Sequence, residues 1–485
     1  MKALCVLGAG SNSGKSWLAT ALCAWLKQQG LRVTPFKAQN MSNNSYVTWD
    51  GGEIGRAQAV QAQACGLLPQ VEMNPVLLKP SGQLGAQLVL LGQAQGHVKA
   101  LDYYDRVEPL WETARAALDG LLQAYDVVVV EGAGSPVELN LMARDIANLR
   151  PLRHADGRWI LVADIERGGV FPQIIGTYQL LPPADRARGL GIVVNKFRGD
   201  PRLFDDAGSI LAGRVPVPYL GLLPYDAALQ PESEDSLCAA DEASGSSDAP
   251  LIAWIRFPHI SNSSDIQPWR LDGGVHAAWV DRPAALQAAR AIVLPGSKNT
   301  VADLSWLRDT GLAHAITAKA SRRTPVVGIC GGYQMLGETI NDPEGVAGDS
   351  GVEQGLGLLP LRTVFARRKQ VTQVRVRWGD EGWDAYEIHM GLSEPTREVL
   401  PLLAVERNGE RGGEGVRQGA VWGTYLHGLF ESAAVRSELA ALAGLTGHIP
   451  APVSWTQHQR DLFERMAAFI DVHLDLRGVL AYVEH

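Results

Sequence analysis

Cysteine is scarce in this chain of 485 residues: only Cys5, Cys23, Cys65, Cys238 and Cys330 occur, and no two form a CxxC pair. An odd, scattered set argues against a disulfide framework and a structural zinc site, and fits a reducing, cytoplasmic setting. Long apolar runs are missing too. No stretch reaches the ~20 residues that span a bilayer, and "MKALCVLGAG" is too short for a signal peptide, so no membrane insertion is expected. Basic charge is not in excess: 44 Lys and Arg face 52 Asp and Glu, a net charge of −8. A nucleic-acid partner is therefore not expected. What remains, 46% hydrophobic and 20% charged, is a globular composition, and the length calls for two or three domains.

Short Val-, Ile- and Leu-rich runs are present and evenly spread. "KALCVLG", "LRVTPFK", "YDVVVVEG", "RWILVAD" and "GLGIVVNKF" are continuously apolar, as strands of a parallel sheet covered on both faces are. Amphipathic stretches lie between them, for example 16–29 and 107–124. The pattern predicts an α/β fold. It breaks at "PESEDSLCAADEASGSSDAP", acidic and poor in large apolar residues, which reads as a linker over 231–250. A second α/β series follows in "PLIAWIRF", "ARAIVLPG", "TPVVGICGG" and "AVWGTYLHG". The expected organisation is two tandem domains, 1–230 and 251–435, each with a mostly parallel sheet covered by helices, and a helical extension over 436–485. No internal repeat is visible.

"GAGSNSGKS" follows a strand and opens a helix, the setting of a phosphate-binding loop. Backbone N–H groups and the helix N-terminus favour phosphate there. Lys15 would reach the outer phosphates and the Ser16 hydroxyl would bind Mg²⁺. The spacing departs from GxxxxGK[ST] by one residue: Gly8, five residues, then Gly14-Lys15-Ser16. A nucleotide site also wants a carboxylate at a neighbouring strand end. Glu131 in "VVVVEGAGS" stands there, with Glu53 a further metal candidate and Asp164 another near the metal or substrate. Asn195, ending "IVVNKF", could read an adenine edge. Lys37, Gln39, Asn40, Asn43, Arg56, Gln58 and Lys79 fall in polar, loop-like stretches and suit a large carboxylate-bearing ligand; an ordinary solvated surface is the alternative.

Gly328-Ile329-Cys330-Gly331-Gly332 has the form of a nucleophile elbow. Strand, sharp turn and helix would expose the sulfur and offer N–H donors to an oxyanion. A merely buried cysteine would not need glycine on both sides. The thiol needs a base, and His427 in "WGTYLHGLF" sits at a strand end. His389, beside Glu387, reads as a ligand-contact or interface residue. Gly296 in "LPGSKNT", with Gly331, would complete the oxyanion and glutamine site.

At these residues the chain resembles known families. Gly328–Gly332 with His427 is similar to class I (triad-type) glutamine amidotransferases, and the modified loop with "EGAGS" resembles the dethiobiotin synthetase fold, a P-loop NTPase-like architecture. Together with "KAQNMSNNS", "EIGRAQAVQAQACG", "MNPVLLKP", "ADIERGGVF", "NKFRGD", "LPGSKNT" and "YEIHMG", the order of domains resembles the cobyric acid synthase family over residues 1 to about 431. That resemblance implies an ATP- and glutamine-dependent amidation of the b, d, e and g carboxylates of adenosylcobyrinic acid a,c-diamide in cobalamin biosynthesis. It implies Mg²⁺, ATP as a substrate and no tightly bound cofactor, with glutamine and a corrinoid as small-molecule partners. Ordinary triads carry Glu two residues beyond the histidine. Leu429 stands there instead, as in a branch resembled here that works with a Cys–His pair. Two alternatives stay open: cobyrinic acid a,c-diamide synthase, and a ParA/MinD-like ATPase switch with a sensor amidotransferase domain.

Overall fold

The computed structural model describes residues 1–80, 85–99, 103, 105–232, 249–346 and 351–484. Most of the linker expected at 231–250 lies outside the described residues. The chain separates into two compact units: Met1–Ser42, Glu53–Glu232 and His458–His485 in the first, Asn43–Gly52 and Ser233–Gln457 in the second. Neither unit is continuous in sequence. The helical tail expected as one extension is divided between them at Gln457/His458.

The first unit is built on a six-stranded sheet in the order Tyr219–Pro224, Gly189–Phe197, Arg158–Asp164, Lys2–Gly8, Val127–Glu131, Val33–Phe36, with every neighbour parallel. The continuous apolar runs have a direct cause. Successive side chains of a strand point to opposite faces, and here both faces are covered. Leu4 and Val6 enter one core with Val129, Ile160 and Val162. Ala3, Cys5 and Leu7 enter another with Val128, Val130 and Leu161. The first core is closed by the helix Lys15–Gln28 and by the C-terminal helices: Leu18, Leu22 and Leu26 meet Phe463, Met466 and Ile470, and the Trp25 indole donates to Asp471 Oδ1 at 2.8 Å.

The second unit holds five adjacent parallel strands, in the order His276–Val280, Leu251–Ile255, Ala289–Leu294, Val326–Ile329, Val421–Thr424. Beyond Val421–Thr424 the sheet continues in antiparallel strands, including the long hairpin Leu361–Trp378 and Glu381–Pro395. The same division of faces recurs: Ile252 and Trp254 lie in one core, Ala253 and Ile255 in the other. In both units the parallel strands end together, and open parallel sheets bind their ligands at such carboxyl ends.

Candidate functional site

Two sites emerge, one per unit. In the second, Val326–Ile329 delivers Cys330, whose backbone lies at φ 52, ψ −110. A non-glycine residue held there costs on the order of 1–3 kcal/mol, a strain kept only where the surroundings enforce it. The glycines enforce it by allowing contact no side chain would permit. A Cβ on Gly331 would stand 2.8 Å from the Ser297 nitrogen, and one on Gly332 2.0 Å from the Leu294 carbonyl oxygen. Cys330 N–H donates to Thr424 O at 2.8 Å, tying the elbow to the strand that leads to His427.

His427 is fully buried and pairs across the sheet with Tyr386, in a two-residue strand Leu426–His427. Its Nδ1 is 2.7 Å from Asp265 Oδ2, and Asp265 Oδ1 accepts the Gly428 N–H at 2.7 Å. The acid that position 429 lacks is thus supplied from the short helix Ser263–Arg270, so the expected Cys–His pair has a third member. Burial alone would push the imidazole down, but the charge and hydrogen bond of Asp265, helped by Cys330, raise it to about 9. Gly296 packs on the other edge of the ring: a Cβ there would meet His427 Cε1 at 3.0 Å.

His389 is engaged within its own unit. Its ring stacks on Tyr425, centroids 3.6 Å apart, and its Nδ1 lies 3.0 Å from Gly391 O. Burial holds it at about 4, below the ordinary 6.5. A buried neutral histidine stabilises the fold above the unfolded value and ceases to do so as pH falls towards the folded one. Thermal midpoints are therefore expected to drop between pH 6.5 and about 4 through this residue, and less steeply in His389→Gln. An unchanged slope in that variant would assign the acid sensitivity elsewhere.

In the first unit, Gly14 takes φ 97 at the start of the helix Lys15–Gln28, the left-handed conformation that glycine adopts without strain. Lys15 Nζ donates to Gly10 O and Gly134 O, both at 3.0 Å. Ser16 Oγ donates to Glu131 Oε1 at 2.8 Å, which brings together two of the three residues expected to hold a metal. Glu131 also receives Lys37 Nζ at 2.9 Å and Gln61 Nε2 at 2.5 Å. Burial pushes this carboxyl up, yet Lys37 and the hydrogen bonds from Gln61 and Ser16 hold it below its ordinary value. The third candidate, Glu53, forms a buried ion pair with Lys79.

Several residues expected to meet ligand are engaged with the protein. The Asn195 amide donates to Ser13 O at 3.1 Å and accepts from Lys196 N–H, so it buttresses the phosphate loop. Arg56 pairs with Glu232 at 3.3 Å, Asn40 Nδ2 donates to Gln58 Oε1 at 2.8 Å, and the Tyr103 hydroxyl donates to Gln39. Asn43 belongs to the second unit, where its carbonyl accepts from Ser261 Oγ at 3.0 Å.

Comparison with known proteins separates the same two parts. Residues 4–237 match a model described as the CobQ/CobB/MinD/ParA nucleotide binding domain, and residues 251–435 a CobB/CobQ-like glutamine amidotransferase domain. Over the whole chain, a cobyric acid synthase of Synechocystis is 42% identical across 99% of this chain and 98% of its own. One from Saccharopolyspora erythraea is 44% identical across 100% and 95%, and one from Chloroflexus aggregans 46% across 88% of each. The chain belongs to the cobyric acid synthase family.

Membership in the cobyric acid synthase family makes the protein a glutamine-dependent amidoligase with two α/β domains, and decides against the ATPase-switch alternative. The donor set suits a hard cation: Ser16 Oγ and Glu131 offer oxygen only, the preference of Mg²⁺. Among the described residues, no group of three or more His, Cys, Asp or Glu is arranged to hold a metal ion, and no helix is long and apolar enough to cross a membrane.

Proposed function

We propose that the two sites run one reaction: the first unit activates peripheral corrinoid carboxylates as acyl phosphates with ATP, and the second releases ammonia from glutamine to amidate them. The observation that carries this reading is the meeting of His427 with Asp265 on one side and with Cys330 on the other, in a chain whose P-loop serine also meets a buried strand-end carboxylate. In the glutaminase site the Cys330 thiol gives its proton to His427 Nε2 as Sγ bonds to the glutamine carboxamide carbon. The backbone N–H groups of Gly296 and Gly331 receive the resulting oxyanion. Asp265 keeps the ring oriented and balances the imidazolium. The imidazolium proton leaves with the amide nitrogen as ammonia, and a water deprotonated by His427 cleaves the thioester to glutamate.

In the first unit Lys15 would neutralise the outer phosphates. Ser16 and Glu131 would hold Mg²⁺, whose chemistry is to offset charge between the phosphates. Lys37, Gln58 and Gln61 fix Glu131 for that task. Gln39, Asn40, Arg56 and Lys79 are assigned to the neighbourhood of the corrinoid, with Asn43 as a further contact. Ammonia then attacks the acyl phosphate and phosphate leaves. A cytoplasmic location goes with this reading, since the four described cysteines are free and buried.

Mass spectrometry of adenosylcobyrinic acid a,c-diamide incubated with protein, ATP, Mg²⁺ and glutamine tests it. Successive amidations that require ATP are expected, and Lys15→Ala should remove them with either glutamine or ammonium as donor, by ~10²-fold or more. An unmodified corrinoid beside active glutamine hydrolysis would leave the amidotransferase and discard the acceptor.

A further inference from the structure

The second unit contains ten residues, Asn43–Gly52, that are flanked in sequence by the first. They lie against the groups that surround His427. Asn43 O accepts from Ser261 Oγ at 3.0 Å, Asn44 Oδ1 from Ser263 N–H at 3.4 Å, and Val47 O from the Gln373 side-chain amide. The Tyr46 ring packs on Tyr386, centroids 5.6 Å apart, and Tyr386 in turn stacks on the His427 imidazole at 5.2 Å.

One contact has chemical direction. Ser45 N–H donates to Asn262 Oδ1 at 2.9 Å, and a backbone N–H can only donate. It therefore settles which way the Asn262 amide points. Nδ2 is left facing His427 Nε2 at 3.4 Å. An amide N–H directed at a ring nitrogen favours the form in which that nitrogen carries a lone pair. This is the form that can accept the Cys330 proton. Asn262 is held for the purpose in the left-handed region, φ 54 and ψ 56, a conformation asparagine tolerates better than most residues, and it is 3% exposed.

We propose that Ser45, through the orientation it imposes on Asn262, is a positioning element that favours the proton-accepting form of His427 Nε2, so that the glutaminase site is complete only when segment 43–47 is seated. The proposal rests on the glutaminase reading above. Asp265 on Nδ1, with the Cys330 sulfur, favours the protonated ring, and the neighbouring His389 is held neutral by its burial, helped by the charge of His427. Tyr386 covers one face of the ring. Asn262 is the neutral group that works against protonation at Nε2. Were the segment to lift away, the amide could turn and present Oδ1 to an Nε2–H, which stabilises the imidazolium and silences the base.

Asn262→Asp is the discriminating variant, because it keeps shape and an acceptor for Ser45 N–H but places an oxygen where Nδ2 stood. The rise of glutaminase kcat with pH is expected to move up by about one unit or more, with roughly tenfold loss near neutrality and little change in the glutamine KM. Asn262→Ala should shift it less, and amidation driven by ammonium salt should persist in both. Wild-type pH profiles in both variants would overturn the proposal, as would a proportionate loss of the glutamine and ammonium reactions, which marks a role in folding alone. A wild-type protein that releases no ammonia from glutamine is a different result: it removes the underlying reading.

Discussion

Cys330→Ala is expected to lower glutamine-dependent amidation by ~10³-fold or more while ammonium salt still supports the reaction. A nucleophile of a catalytic unit cannot be replaced by its neighbours, and its loss removes nearly all the rate that the unit supplies. Nothing in the ATP-dependent half needs the thiol, because ammonia from solution is the same nucleophile that the glutaminase site would generate. The comparison requires an alkaline buffer, where enough ammonium is deprotonated, with amide formation followed by mass spectrometry. Equal loss with both donors would mean that Cys330 holds the fold together rather than reacting. Its positive φ makes that a real alternative: the backbone is strained there, and a turn that stores strain is sensitive to substitution. Alanine keeps the Cβ and so leaves the crowding by Gly331 and Gly332 unchanged.

Asp265→Asn should cost ~10²- to 10⁴-fold in glutaminase kcat, again sparing the ammonium reaction. The size follows from the hydrogen bonds. Gly428 N–H needs an acceptor and will take the asparagine Oδ1, as it now takes the carboxylate Oδ1 at 2.7 Å. The amide Nδ2–H then faces His427 Nδ1, which must become the acceptor. The ring proton is driven to Nε2, the nitrogen required to receive the proton of Cys330, and the base is present in the wrong tautomer. Loss of the carboxylate also ends the support that holds the imidazole at about 9, so whatever activity remains should reach its plateau at lower pH. A variant within a few-fold of wild type, with its pH profile unmoved, would show that the pair of Cys330 and His427 works without the acid.

Asp265 was not legible in the sequence, whereas Cys330 and Lys15 were, and the difference is one of range. An elbow and a phosphate loop are local devices: the glycines that permit them stand within a few residues of the reactive group, so the pattern is visible in a short string. Asp265 reaches a histidine 162 residues away, and "SNSSDIQPW" carries no spacing that announces an acid. The α/β class and the two sheets were legible for a similar reason, since burial on both faces leaves unbroken Val-rich runs. Gln61 was within reach and was passed over. Gln58 and Gln61, three apart on one helix face, both donate to Glu131, but the repeated Gln-Ala pattern reads just as well as a close-packing face. The pairing of Lys79 with Glu53 depends on bringing two separate segments together, and each residue alone looked like a ligand group. Asn195 ends the expected strand, but a strand end does not fix which way an amide turns, so its bonds to Ser13 and Lys196 could not be read from the string.

The excursion of residues 43–52 bears on how the gene could be divided. Cutting the coding sequence between codons 237 and 251 would give two polypeptides that each hold a complete family domain by sequence, 4–237 and 251–435 being the two matched regions. The downstream product would nonetheless lack Ser45 and Tyr46, and the upstream product would lack the helices from His458 onward that close its own core. Each half would be born without a piece of itself that the other carries. Fusion in this chain is therefore more than a tether between two enzymes, and a freestanding amidotransferase made from it would be expected to need the missing ten residues returned as a peptide.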